Sequence, residues 1–310
     1  MSYRIHISSE FKWTAIRRLT GADQTTNALS RIPLLAAVLA VSTALPAFAV
    51  RADPVEETLD HPAFGKLAIY RATDEPKGVA LFASGSGGWN SDLSAAAREI
   101  ATLDYVVAGI DLDDYLARIE RSDAACADVA TDLDRLNRLM EERYPIAIHQ
   151  PPILLGQGAG AALAYAALAQ GPDDRFHAGV AVDFCPTSPL RKPLCERSAN
   201  LESAPLPNGK SVSLKPIARM PTTWFVFQNR PTCDTGATAQ FVKSIHLARL
   251  TEISGAEGSK SWLPQVSALL QWLDPSIAKQ VQPDASISDV PLTEVPVTGG
   301  PDRPQLALMF

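Results

Sequence analysis

The feature that most constrains this chain is an alternation. From about residue 66 to 274, short apolar runs take turns with segments of helical periodicity. Runs at 66–70, 78–83, 105–110, 153–155, 179–184, 222–227 and 247–253 read as strands. Between them, 93–103, 123–144, 158–170, 237–245 and 262–273 read as helices. In the second of these, Ala130, Leu133, Leu136, Leu139 and Met140 recur at three-to-four spacing, which places them on one helical face. Strands buried on both faces read as near-continuous apolar runs, and helices between them are the crossovers that parallel strands require. The expectation is an α/β chain with a doubly wound, mostly parallel sheet, in a single main domain over residues 50–275.

Segment 185–221 breaks the rhythm. It is rich in Pro, Ser and Lys and reads as an excursion, or lid, over the sheet edge. The first 49 residues read as an export leader: Arg17, Arg18 and Arg31, an apolar run over 32–45, then Ala47-Phe48-Ala49 as a small-x-small cleavage signature. A cleaved leader implies a soluble periplasmic product. Residues 276–310 change composition and read as a linker followed by the truncated start of a second domain, because Leu306-Ala307-Leu308-Met309-Phe310 echoes Val79-Ala80-Leu81-Phe82-Ala83. The net charge is −6, with no basic block after the leader, which argues against nucleic acid as a partner.

Four cysteines, an even number in an exported chain, suggest disulfides, with three possible pairings. Cys185 follows one strand and Cys233 the next. Both then stand at the carboxyl ends of neighbouring strands. This favours Cys185–Cys233 and leaves Cys126–Cys195. No CxxC or His-rich cluster is present, so no metal or cofactor is expected.

Open parallel sheets place their sites at the carboxyl ends of strands. After the strand at 78–83 comes Ser84-Gly85-Ser86-Gly87-Gly88-Trp89, whose glycines suit an oxyanion hole or an anion nest. After 153–155 comes Gly156-Gln157-Gly158-Ala159-Gly160, where a G-x-S-x-G nucleophile elbow would sit. Gly158 occupies the nucleophile position and offers no hydroxyl. The rival dinucleotide fingerprint, G-x-G-x-x-A, fits poorly: it lies on a middle strand, and Asp183 is too far along to serve as its acid. The pocket is expected to be lined by Ser84, Gly85, Ser86, Trp89, Gln157, Gly158 and Arg230. Arg230 also stands in the turn where a catalytic acid belongs, beside Asp234, and Ala256 lies in the turn where a catalytic His belongs.

The chain has five histidines. His6 lies in the leader and His61 is read as preceding the first strand. His149, His177 and His246 each precede a strand, at the amino-terminal edge. A serine nucleophile needs a base within hydrogen-bond reach, and none is expected at the glycine-lined mouth.

With these residues in hand, the chain resembles the AcvB/VirJ family of periplasmic bacterial virulence proteins over residues 78–274. The resemblance rests on Ser84 through Trp89, Gly109-Ile110-Asp111-Leu112, Leu154-Leu155-Gly156 through Ala169-Gln170, and Phe184-Cys185-Pro186. It rests most specifically on Pro189-Leu190-Arg191-Lys192-Pro193-Leu194-Cys195. The resemblance implies an α/β-hydrolase-like fold, and a family with a degenerate first domain and a Ser-dependent second one associated with lysyl-phosphatidylglycerol hydrolysis and type IV secretion. With no serine at Gly158, the chain looks like the degenerate domain. It is then expected to bind rather than cleave, with an anionic or aminoacylated phospholipid head group or a type IV secretion component as partner, and with peripheral membrane contact. Arg230 and the glycine loop together would hold an anion. The alternative is an active periplasmic serine hydrolase acting on aminoacyl-lipid or ester bonds through an unusual site centred on Ser86.

Overall fold

In a computed structural model, the chain divides into two units, Met1–Ala49 and Val50–Phe310. The structure describes residues 53–146, 149–195, 201–229, 233, 235–254 and 258–274, all within the second unit. The expected leader, Arg230, Asp234, Ala256 and the tail at 276–310 lie outside the described residues.

Eleven strands and six α-helices make up the described part. In chain order they are β1 (Val55–His61), β2 (Gly65–Arg71), β3 (Gly78–Ala83), α1 (Ser91–Ala101), β4 (Tyr105–Ile110), α2 (Leu112–Arg121), α3 (Val129–Arg143), β5 (Ile153–Gln157), α4 (Ala159–Gln170) and β6 (Ala178–Val182). Then follow β7 (Thr187–Ser188), β8 (Ser203–Pro205), β9 (Val212–Leu214), β10 (Arg219–Gln228), α5 (Thr235–Lys243), β11 (His246–Glu252) and α6 (Leu263–Trp272). Eight strands form one sheet in the order β1-β2-β4-β3-β5-β6-β10-β11. β1 and β2 run antiparallel at one edge, and the rest are parallel from β4 onward. That order, with its single reversal at β4-β3, is the strand order of the α/β-hydrolase fold.

The apolar strands are buried because helices cover both faces. One core cluster gathers α2, α3, α4 and α5 on one face, around Leu81, Val106, Leu133, Tyr165 and Trp224. The other gathers α1 and α6 around Phe82, Val107, Leu155 and Trp262. α4 is apolar all round and buried from Gly160 to Gln170, as a helix at the centre of such a sandwich must be. The helices that follow β3 and β4 start on side-chain caps: Asn90 Oδ1 accepts the Asp92 and Leu93 N–H groups, and Asp111 accepts that of Asp114. No described helix is long and apolar enough to cross a membrane.

Three expectations need correction. The helix read at 123–144 begins at Val129, where Asp128 caps it through the Thr131 N–H, and α2 is a separate helix. The strand read at 179–184 ends at Val182, because Asp183 takes a positive φ of 51°. The lid segment folds as a small sheet, β7-β9-β8, which packs on α4.

The two disulfides are Cys126–Cys195 and Cys185–Cys233, the expected pairing. The first fastens the α2–α3 connection to the excursion after β6, beside a bridge between Ala127 and Leu194. The second ties the end of β6 to the loop after β10.

Candidate functional site

The elbow is built by three glycines with different jobs. β5 delivers Gly156, and α4 starts at Ala159. A Cβ on Gly156 would lie 2.2 Å from the Gly160 carbonyl oxygen, and one on Gly160 would lie 2.3 Å from that of Ser84. Those two glycines let strand, helix and the β3 loop touch. Gly158 is different. Its φ of 55° and ψ of −116° make the sharp strand-to-helix turn of a nucleophile elbow. A Cβ there would meet only the Gly85 Cα, at 3.9 Å. The Gly158 N–H continues the sheet by donating to Val182 O at 2.8 Å. The backbone therefore presents position 158 to an open space, with no side chain to fill it.

That space is a cavity of about 260 Å³, lined by Ser86, Gly158, Ala159, Asp183, Thr187, Ser188 and Ser211, with Cys185 and Pro189. The strand ends of β5 and β6 form its floor, and β7 with the residues leading into β9 forms its wall. Among these lining residues Asp183 carries the only formal charge. Its carboxylate accepts the Asn229 N–H at 2.9 Å, and its own N–H donates to Phe227 O. Four hydroxyl-bearing residues, Ser86, Thr187, Ser188 and Ser211, line the same cavity. The arrangement suits a small polar or cationic group.

The glycine loop after β3 does not form the expected anion nest. Gly87 and Gly88 adopt φ of 100° and 75°, and the turn does gather N–H groups. Those donors go to the chain's own carboxylates: Gly87 N–H to Asp113 Oδ2 at 3.0 Å, and Trp89 N–H to Asp111 Oδ2 at 2.8 Å. A Cβ on Gly88 would lie 2.4 Å from Asp111 Oδ2, so the glycine is the condition for that carboxylate's approach.

Of the residues expected to line the pocket, Ser86 and Gly158 do so. Gly85 and Gln157 flank them: a Cβ on Gly85 would lie 3.3 Å from Gln157 O. Ser84 is fully buried, and its hydroxyl accepts the Leu112 N–H at 2.9 Å, which fastens α2 to the loop. Trp89 belongs to the opposite core. Its Nε1–H donates to Tyr70 OH and Ser94 Oγ, both at 3.1 Å, and its ring lies edge-on to Phe82 and against Gly109. Asp183 is the residue that the sequence reading passed over. An acid immediately after a buried strand was the available signal, but it was weighed only as a dinucleotide acid.

The turn after β11, where a hydrolase keeps its His, is pinned on its far side. Ser259 donates through its N–H and its hydroxyl to Asp92 at 2.8 and 2.7 Å. Of the four described histidines, three stand at the amino-terminal edge. His177 contacts Leu273 O at 3.2 Å, His149 faces Glu141 at 3.5 Å, and His246 opens β11. His61 precedes the strand expected at 66–70, now β2, but it also ends β1, a strand that the sequence did not mark, and pairs with Gly65. Because Leu67 pairs with Ile110, this end of β1 lies on the carboxyl edge, the same edge as the elbow. It is four strands away from β5, roughly 19 Å at the usual strand spacing. Its Nδ1 already accepts the Ala63 and Phe64 N–H groups.

No protein-family model matches the chain, and no curated protein matches it in sequence. Solved structures resemble it at low identity. A dienelactone hydrolase from Anabaena variabilis is 18% identical, with a TM-score of 0.45, over 71% of this chain and 97% of that one. Est1E from Butyrivibrio proteoclasticus is 12% identical, with a TM-score of 0.42, over 73% and 98%. FphF, a fluorophosphonate-binding serine hydrolase of Staphylococcus aureus, is 11% identical, with a TM-score of 0.45, over 71% and 97%. On its strand order and helix placement, this chain has an α/β-hydrolase-like fold in a single main domain.

Proposed function

We propose that this chain is an exported, non-catalytic hydrolase-fold module of the AcvB/VirJ type, which holds a head group over the elbow without cleaving it. The observation that carries the reading is Gly158: the turn that presents a nucleophile is intact, and the residue it presents has no side chain. Two disulfides are in keeping with an oxidising compartment. Between the two head-group chemistries, the cavity favours the aminoacylated one. A carboxylate at the cavity wall, even one that already holds the Asn229 N–H, suits an ammonium better than a phosphate, and the loop's N–H groups at Gly87 and Trp89 are engaged by Asp113 and Asp111. A role in virulence or type IV secretion belongs to the same proposal and rests on the family resemblance alone.

Treating the full chain with a fluorophosphonate reagent and weighing it intact tests the catalytic half. No adduct is expected; a stoichiometric adduct overturns it. Flotation with vesicles containing lysyl-phosphatidylglycerol, against vesicles of phosphatidylglycerol alone, tests the binding half. Selective flotation with the first is expected, weakened in Asp183→Asn, and equal behaviour with both removes the head-group assignment. A second reading keeps the chain as a hydrolase through Ser86, which lines the same cavity as Asp183. It requires esterase turnover that disappears in Ser86→Ala.

A further inference from the structure

A larger cavity, about 500 Å³, lies away from the elbow on the same edge of the sheet. Its walls are the β1–β2 turn at Pro62 and Ala63, the inner face of α2, and the first two turns of α3. Charges of both signs line it. Arg118 comes from α2 and Arg135 from α3, and Asp128 and Asp132 come from the start of α3. The groups are partly organised already. Tyr115 donates its hydroxyl to Asp132 Oδ2 at 3.0 Å, and Arg135 stands 3.6 Å from Asp132 Oδ1. Arg118 donates through Nη1 to Pro62 O at 3.2 Å, which fixes its guanidinium at the cavity wall. Burial holds the Asp132 carboxyl above its ordinary range, and burial also pushes the neighbouring His61 down, toward its neutral form. Asp132 is thus a partly buried carboxyl at the cavity wall, where an ionic contact counts for more than on the open surface.

We propose that this cavity binds a small zwitterion, one molecule carrying an ammonium and a carboxylate, as a free α-amino acid or a dipeptide does. The carboxylate lies against Arg118 and Arg135, whose planar guanidinium groups match it. The ammonium lies against Asp128 and Asp132. A simple anion of this size meets two aspartates, and a simple cation meets two arginines, so each alone is opposed by like charge. A cavity of this volume is within the range of small-molecule sites and has room for an amino acid with its side chain.

Calorimetric titration of the full chain tests the proposal with two probes, L-alanine and L-alanyl-L-alanine, which separate the two sources by the spacing of their charges. Saturable binding of at least one is expected. N-acetyl-L-alanine and L-alanine methyl ester, each stripped of one charge, are expected to bind about tenfold more weakly or not at all. Arg135→Gln, at a mostly exposed side chain that the fold does not need, is expected to weaken the probe by a similar factor, and so is Asp132→Asn. Both variants are checked for an unchanged circular dichroism spectrum, with Arg118→Gln standing in for either that unfolds. No saturable binding by either probe overturns the proposal. So does equal binding of the acetylated compound, which would make this an anion site, or an affinity untouched by the substitutions.

Discussion

Gly158→Ser restores the missing hydroxyl on a turn already shaped to present it, and both its cost and its outcome follow from the geometry. A Cβ at 158 meets nothing closer than the Gly85 Cα at 3.9 Å, so no steric term opposes it. What remains is the backbone, whose φ of 55° with ψ of −116° costs a non-glycine residue about 1–3 kcal/mol. For a domain of this size that is a fall in Tm of roughly 2–12 °C. The contrast is Gly156→Ala, whose Cβ would lie 2.2 Å from a backbone oxygen that belongs to α4 and cannot swing away. That change is expected to cost about 3 kcal/mol or more. Despite its intact elbow, the serine variant is expected to stay unreactive. Removing only the base from a catalytic triad costs about 10⁶-fold in rate, and the nearest described imidazole on this edge, that of His61, is four strands away. Thermal melts of wild type and both variants check the structural half, and intact mass after fluorophosphonate treatment checks the chemical half. Labelling of Gly158→Ser at the rate of an ordinary serine hydrolase would refute the reasoning, because it requires a base at the elbow. A melting loss in Gly158→Ser equal to that of Gly156→Ala would refute the claim that position 158 faces open space.

Three further outcomes are expected. His61 is pushed below its ordinary pKa of 6.5, chiefly by burial, with Arg118 adding to the shift and Asp132 opposing it. The unfolded chain therefore binds more protons below pH 6.5, and stability is lost as pH falls from there through the folded value. Denaturant midpoints between pH 7.5 and 5 should show this slope in wild type and not in His61→Gln (the pH limits bracket about 6.5). The buried Gln170 amide donates to Ala127 O and Cys195 O at 2.9 and 3.0 Å and accepts from Ala130 N–H. Gln170→Leu removes the side-chain partner of Ala130 N–H and Cys195 O, while Ala127 O keeps the Cys195 N–H, and is expected to cost about 1–3 kcal/mol by urea unfolding; a neutral result would mean water replaces the amide. Replacing both Cys126 and Cys195 by Ala opens a link across 69 residues and is expected to cost up to about 4 kcal/mol by the same measurement.

The parts of the fold that were legible in the sequence are those where burial dictates residue type. Strands such as Tyr105–Ile110 are buried on both faces, so they are apolar throughout and mark themselves. β1 was missed because it is an edge strand of sequence Val-Glu-Glu-Thr-Leu-Asp-His with no fully buried residue, and its acids, which suit an edge, look like a linker. α2 was overlooked although Leu112, Tyr115, Leu116 and Ile119 fall at helical spacing, because its charged outer face runs into the polar connection before α3. The elbow was legible because Gly156 and Gly160 are fixed by sterics at known offsets on either side of the turn. The fate of the glycine loop was not. Whether its N–H groups face a ligand or Asp111 and Asp113 depends on how α2 approaches, and local sequence does not encode that angle. The edge on which His61 stands was not legible for the same kind of reason: without β1, it cannot be assigned.

The three elbow glycines carry unequal weight in an argument about chemistry. Gly156 and Gly160 are required by packing alone, since a methyl group on either would enter backbone oxygen. Their presence is therefore compatible with an active or an inactive site. Gly158 has no such contact, and the sole demand on it is a backbone conformation that glycine adopts freely and serine adopts at a cost. A hydrolase accepts that strain because the strained residue is its nucleophile. Where the hydroxyl has no base to activate it, the strain stabilises nothing, and glycine is the residue that the turn itself favours. The identity of residue 158 and the location of the described histidines thus bear independently on the non-catalytic function proposed above, and the serine variant separates them.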